Sequence, residues 1–271
     1  MSAQHSIPIT KEAIPSQTEA AVSEVAIPQY GLRAIFAVWA AAALPMAALA
    51  WLVAPALKDQ FAGTGNIPFF KALNVCLTVG LVWQFVLVAT LVWREQRTFR
   101  WSTLREALWL RSPRSPRTGR RTGGRIWLVV IPLMVATLIE SLIPLGGPKG
   151  RDFGAFLGSD AGKAFLHGAW GWYALILVWF VFNTVLGEEL LFRGFLLPRM
   201  NGVFKRKDWL ANGVLFAAYH LHFPWAIPGT LAIDTFAVAY PAKRYQSAWI
   251  GIAVHSAQSV FLGVLIFTLV A

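Results

Sequence analysis

The chain has 271 residues, 56% of them hydrophobic and 14% charged, and a mean hydropathy of +0.55, a composition that excludes an ordinary soluble domain and is that of a membrane protein. It nevertheless carries 24 Lys and Arg against 13 Asp and Glu, a formal charge of +11. For so apolar a chain an anionic bilayer is the nearer explanation than nucleic acid, and the 13 Trp and 19 Phe suit interfacial and lipid-facing positions better than a base-stacking platform.

Taken in chain order, residues 1–30 are polar, contain Pro8, Pro15 and Pro28 and lack an apolar h-region, so they read as a disordered tail rather than a cleaved signal. Apolar runs follow at about 34–57, 72–93, 126–145, 170–187 and 248–270, each near the roughly 20 residues that cross a hydrocarbon core. Shorter runs at about 209–223 and 226–240 complete an expected all-α transmembrane bundle of about seven spans; the last, bounded by Pro224, Pro228 and Pro241, reads as a broken or re-entrant helix. The lone Cys76 sits in an apolar run and has no partner for a disulfide or a redox pair.

With the amino terminus inside, nineteen of the 24 Lys and Arg fall on the inner side, which predicts a multi-pass protein of the cell's inner membrane with a cytoplasmic amino terminus. Ten of those are the Arg residues between Arg94 and Arg125, set against Glu95 and Glu106 only. This loop reads as a topology anchor on the anionic inner leaflet, with a partner or lipid dock as the functional alternative. Within it Trp101, Leu104, Leu108 and Trp109 recur at helical spacing, which predicts a short amphipathic helix in the interface.

A charged side chain at a bilayer centre costs on the order of 2.5–3.5 kcal/mol, so every ionisable residue inside a span needs a reason. Glu140 and Asp234 stand alone in apolar sequence and read as structural carboxylates. The run around 188–193 differs. Glu189 and Arg193 are four apart and share a helix face as an ion pair, while Glu188 lies about 100° around the helix and is left without that partner. On a second run Phe216 and His220 are four apart, with His222 pointing elsewhere; on a third, His255 and Ser259 are four apart. A carboxylate, two imidazoles and a hydroxyl on three apolar helices form a constellation able to hold and activate a water.

In these residues the chain resembles the CPBP (Abi) intramembrane proteases, which include the type II CAAX prenyl endopeptidases and relatives linked to bacteriocin processing or immunity. The family's EExxxR, FxxxH and HxxxN motifs are matched in order by Glu188, Glu189 and Arg193, by Phe216 and His220, and by His255 and Ser259. The resemblance covers about 170–270 and implies a metal-independent, glutamate-dependent peptidase with no cofactor, its site within the membrane and open toward the cytoplasm. It makes Glu188 the general base, sets His220 to hold the attacking water, and turns His255 and Ser259 toward the developing oxyanion. Glu189, Arg193 and Phe216 organise the site, and the substrate is a membrane-associated peptide or protein. Three regions follow: the tail over 1–30, two transmembrane helices with the basic cytoplasmic loop over 31–125, and the protease core over 126–271.

The departure is Ser259, where the family often has Asn; a serine offers a shorter reach and a single donor. Gln258 lies off the His255 face, and His222 is given a core-packing role. Two further readings remain at this stage. A zinc peptidase could use Glu188, His220, His222 and His255, although no HExxH is present. A non-catalytic immunity or scaffold protein would keep the helices and their ion pair without cleavage. A proton-relay transporter is weaker, since the two halves show no matching broken helices.

Overall fold

A computed structural model describes residues 25–141, 146–148 and 150–271. The tail expected over 1–30 therefore lies, up to residue 24, outside the described residues, and so does the side chain of Glu140. Among the described residues the fold is helical, with a single bridge between Arg114 and Arg121 as its only strand-like pairing.

Four helices are long and apolar enough to cross a membrane: α1 (Leu32–Gln60), α2 (Ile67–Gln96), a third over Trp170–Arg199 and a fourth over Ala248–Val270. In α1 the ring of Pro45 removes one backbone donor, and the helix then widens to i→i+5 spacing over Leu49–Val53. Helix α2 tolerates Pro68 in its first turn, where no donor is needed, and stops at Arg97, whose φ of 53° is left-handed. Between the first and second pair of long helices lie α3 (Trp101–Ala107), α4 (Trp127–Ser141) and two short capped helices, α5 (Phe153–Gly158) and α6 (Asp160–Leu166). The long helix Trp170–Arg199 is α7. It is followed by α8 (Asp208–Tyr219), by α9 over 227–245, and by α10 (Ala248–Val270).

The other three expected spans fall on helices outside those four. The run at 126–145 holds α4, led in by a 3-10 turn over Gly123–Ile126, and its residues 142–145 lie outside the described residues; the run at 209–223 is the 12-residue α8, which tightens into a 3-10 turn over His220–His222 ahead of Pro224. The run at 226–240 is not broken. Pro228 sits in the first turn of α9 and Pro241 follows a widened turn over Thr235–Ala239, so the helix carries on to Tyr245. The amphipathic helix is also shorter than its pattern: α3 ends at Ala107, Trp101 is exposed, and Leu108 and Trp109 leave the helix to become buried. The Trp109 carbonyl accepts from the Ala248 amide (2.9 Å) and so fixes the start of α10.

Hydrogen bonds collect the helix ends into two unlike ends of the bundle. At one end the Arg199 guanidinium, fully buried, grips both Glu95 carboxylate oxygens (2.5–3.2 Å) and the Ala107 and Phe195 carbonyls. The Tyr30 hydroxyl donates to Glu95 Oε1 (2.6 Å), and burial together with that carboxylate holds the phenol well above the ordinary tyrosine range, so it remains a donor. Asp208 pairs with Lys243 at this same end, and the Arg114 amide donates to the Tyr245 carbonyl (2.9 Å). This is the basic end, which carries the Arg94–Arg125 loop. At the opposite, weakly charged end Arg151 stacks over Trp51, 4.0 Å from the ring centre, and the Trp51 indole donates to the Leu221 carbonyl (2.8 Å).

Candidate active site

The site forms where α7, α8 and α10 meet, and the local form of α7 decides its layout. Widened turns over Phe182–Gly187 and Leu190–Leu196 flank Glu188 and Glu189. Gly187 permits this: a side chain there would press on the Phe182 carbonyl and on the Leu81 carbonyl of α2, so its absence lets α7 widen and α2 approach.

Glu189 and Arg193 are paired within α7 at 2.9 Å, both fully buried. From α10, His255 Nδ1 donates to the same Glu189 Oε1 at 3.1 Å. The close approach of α10 depends on Gly251, since a side chain at that position would collide with Glu189 Oε2. Phe216 of α8 holds the pieces together. The Arg193 guanidinium lies over its ring at 4.0 Å, His220 and His255 meet the ring edge-on, and its carbonyl accepts from His220 Nδ1 at 2.9 Å. A carbonyl only accepts, so Nδ1 of His220 carries the proton and Nε2 presents its lone pair.

Glu188 is buried and makes no ion pair among the described residues; its Oε2 has no protein hydrogen-bond partner. The Tyr219 hydroxyl, which accepts from Gln84 Nε2 at 2.6 Å, interacts with the Glu188 carboxylate. One glutamate is thus committed to a cation and an imidazole while its neighbour is not, as the helical spacing predicts.

Glu188, His220 and His255 line one cavity of about 200 Å³, closed by Met46, Leu77 and Leu81 from α1 and α2. Two polar residues outside the sequence-based set join them. Asn183 lines the cavity from α7, and its side-chain amide makes no hydrogen bond to the described protein. His222, assigned to core packing from its spacing, also lines it, stacked on His220 with ring centres 5.3 Å apart. The reason is the 3-10 turn over His220–His222, which departs from the α spacing that would send the two rings apart. Ser259 lies buried one turn beyond His255 but is not among the residues lining the cavity, while Ser256 and Gln258 bond to Thr184 and to the Thr137 carbonyl. Asp234, which stands alone in sequence, is buried on α9 and interacts electrostatically with His255, Arg193 and Glu189.

The cavity faces one end of the bundle. Glu188 lies eleven positions from Arg199, roughly 16 Å along the helix from the basic end. Below it, toward that end, Glu189, Leu191, Phe192, Arg193 and Phe195 are 0% exposed and form a sealed floor. The rim is built instead by Trp179, His222 and Phe223, next to Leu221 and its bond from Trp51 at the weakly charged end. The buried floor thus lies between the cavity and the basic end.

Among the described residues, no three His, Cys, Asp or Glu side chains are grouped as a metal ion would need. What the cavity offers is an unpaired carboxylate, an imidazole lone pair, an imidazole bonded to a carboxylate and a free amide, in a space large enough for water and a peptide group. No curated protein and no solved structure matches the chain. Residues 169–261, which hold every one of the polar side chains just described on α7, α8 and α10, match the family model described as type II CAAX prenyl endopeptidase Rce1-like. That stretch is thus similar to the Rce1-like domain of the CPBP/CAAX protease family.

Proposed function

We propose that this protein is an intramembrane endopeptidase that hydrolyses a peptide bond of a membrane-associated protein or peptide with a glutamate-activated water. The observation that carries this reading is the division of labour between adjacent carboxylates: Glu189 is tied to Arg193 and His255, and Glu188 faces the cavity unpaired. Water held between Glu188 and the His220 lone pair gives its proton to Glu188 as its oxygen adds to the scissile carbonyl. The oxyanion takes hydrogen bonds from protonated His255, through Nε2, and from the Asn183 amide. Glu188 then passes the proton to the leaving nitrogen, and the tetrahedral intermediate collapses to a carboxylic acid and an amine, between which the acid's remaining proton is exchanged. Donors fixed in a water-poor cavity stabilise an oxyanion far more than donors in bulk water do.

Every proton and charge in this sequence is handled by side chains, which supports a metal-independent glutamic peptidase. Cleavage by purified protein is expected to survive chelators; loss on chelation with recovery on added zinc would replace this reading by a zinc one. The concentration of Lys and Arg at one end supports a cytoplasmic basic end in the inner membrane, by the positive-inside rule. The scissile bond then reaches Glu188 from the outer half of the bilayer. The test is a comparison of membrane proteomes from wild-type and Glu188→Gln cells. Amino or carboxy termini present only in the wild type are the expected result, and identical sets of termini would reject the peptidase reading.

A further inference from the structure

The Arg94–Arg125 loop is not a uniform fringe of charge. Its second half folds into a small hairpin: the Ser115 amide donates to the Arg120 carbonyl (2.7 Å), Thr122 to Pro113 (2.9 Å), and Arg114 bridges to Arg121. The hairpin is docked on the end of α9 through the Arg114 amide to the Tyr245 carbonyl and through Arg111 to Gln246 (3.1 Å). That docking brings Arg244, more than a hundred residues away in sequence, beside the hairpin. Arg117, Arg120, Arg121, Arg125 and Arg244 line one cavity of about 560 Å³.

Nothing in the described protein neutralises these five cations. The loop has two carboxylates, and both are engaged elsewhere: Glu95 with Arg199, and Glu106 with Arg105 and Arg111. None of the five guanidinium groups has a protein hydrogen-bond acceptor among the described residues. Guanidinium groups gathered without a counter-ion repel one another, and their planar, forked donors match the paired oxygens of a phosphate or a carboxylate. The rest of the wall combines the polar Ser115, Thr118 and Thr122 with an apolar side at Ile126 and Val129. Ile126 ends the turn before α4 and Val129 lies in its first turn, and their neighbours Trp127, Leu128 and Ile131 are 51%, 79% and 54% exposed, so the cavity runs into a surface fit to face acyl chains.

We infer that this cavity is a binding site for the phosphate-bearing headgroup of an anionic membrane lipid, with the arginines on the phosphate and the acyl chains along Ile126, Val129 and the outer face of α4. The apolar continuation favours a lipid over a free phosphate, which would need the arginines alone. Basic pockets beside transmembrane helices hold acidic headgroups by this chemistry.

The test uses the full chain in a non-ionic detergent, with native mass spectrometry to count bound phosphatidylglycerol against phosphatidylcholine of matched acyl chains. Each basic residue near a headgroup contributes about 1 kcal/mol, so the triple variant Arg120→Ala/Arg121→Ala/Arg125→Ala is expected to lower the preference for phosphatidylglycerol by about a hundredfold. The triple variant Arg94→Ala/Arg97→Ala/Arg100→Ala removes the same charge from the same loop outside the cavity, and is expected to keep the preference within about twofold of wild type. Equal losses in the two variants would reduce the effect to general charge and overturn the site, as would an undiminished preference in the first. Displacement of the lipid by millimolar inorganic phosphate would make the ligand a soluble anion and overturn the lipid assignment.

Discussion

Asn183 and Glu188 line the same cavity from one helix although they are five positions apart, a separation that places side chains about 140° from each other on a regular α-helix. The i→i+5 turn over Phe182–Gly187 brings them to one side. The α7 backbone thereby supplies an amide donor in a cavity that Ser259 does not line.

Replacement of Asn183 by Leu is expected to lower kcat by about 10²–10³ with little change in KM, the cost typical of losing one oxyanion donor. Because that amide makes no hydrogen bond to the described protein, the melting temperature should stay put. Adding Ser259→Asn in the Asn183→Leu background should recover part of the loss. An Asn183→Leu enzyme with unaltered kcat would remove Asn183 from the mechanism.

The two glutamates are expected to separate activity from stability. Glu188→Gln should abolish cleavage and leave thermal unfolding at or above the wild-type temperature, since an unpaired buried carboxyl is replaced by a neutral amide. Glu189→Gln strips the counter-charge from a fully buried Arg193 and should destabilise by about 3–5 kcal/mol. Circular dichroism melts and a cleavage assay on both variants check this, and matching stability losses would contradict the division of roles.

The Glu95–Arg199 pair at the basic end is expected to behave as a lock on the bundle rather than as part of the chemistry. Arg199→Ala leaves Glu95 without its counter-charge and the Ala107 and Phe195 carbonyls without the guanidinium, and should cost about 3–5 kcal/mol. The double variant Glu95→Leu/Arg199→Met should recover much of that stability, because a well-packed apolar pair of similar volume can replace a buried ion pair. Residual activity per folded molecule should be unchanged in both.

Access to the site is expected from the outer side of the membrane. In a Cys76→Ser background, Phe223→Cys at the cavity rim should react with a membrane-impermeant maleimide added to intact cells, and Arg117→Cys should react only after the membrane is opened. The reverse pattern would invert the orientation and turn the cavity toward the cytoplasm.

Much of this site can be read from spacing. The four-residue steps from Glu189 to Arg193, from Phe216 to His220 and from His255 to Ser259 assume a regular helix, and for the first two the contacts follow. What spacing misses is whatever depends on a departure from 3.6 residues per turn. Asn183 reaches the cavity through a widened turn and His222 through a tightened one, so an α-helical projection places both elsewhere. Asp234 joins the cluster by tertiary packing of α9, which no local pattern encodes. Helix α8 is apolar but short, and hydropathy alone extends it into the 3-10 turn over His220–His222. Trp109 continues the apolar spacing of α3 yet is committed by its carbonyl to α10.

The pairing of Glu189 with Arg193 also bears on how the protein is made. Both partners lie on α7, so their charges cancel as soon as that helix forms, and a segment bearing two acids and a base can leave the insertion machinery without waiting for the rest of the chain. His255 is 66 residues further on and arrives with α10. Until then Glu189 lacks its second partner and the cavity lacks a wall. The side chains that line the cavity therefore come together only once α10 has been made and has packed against α7.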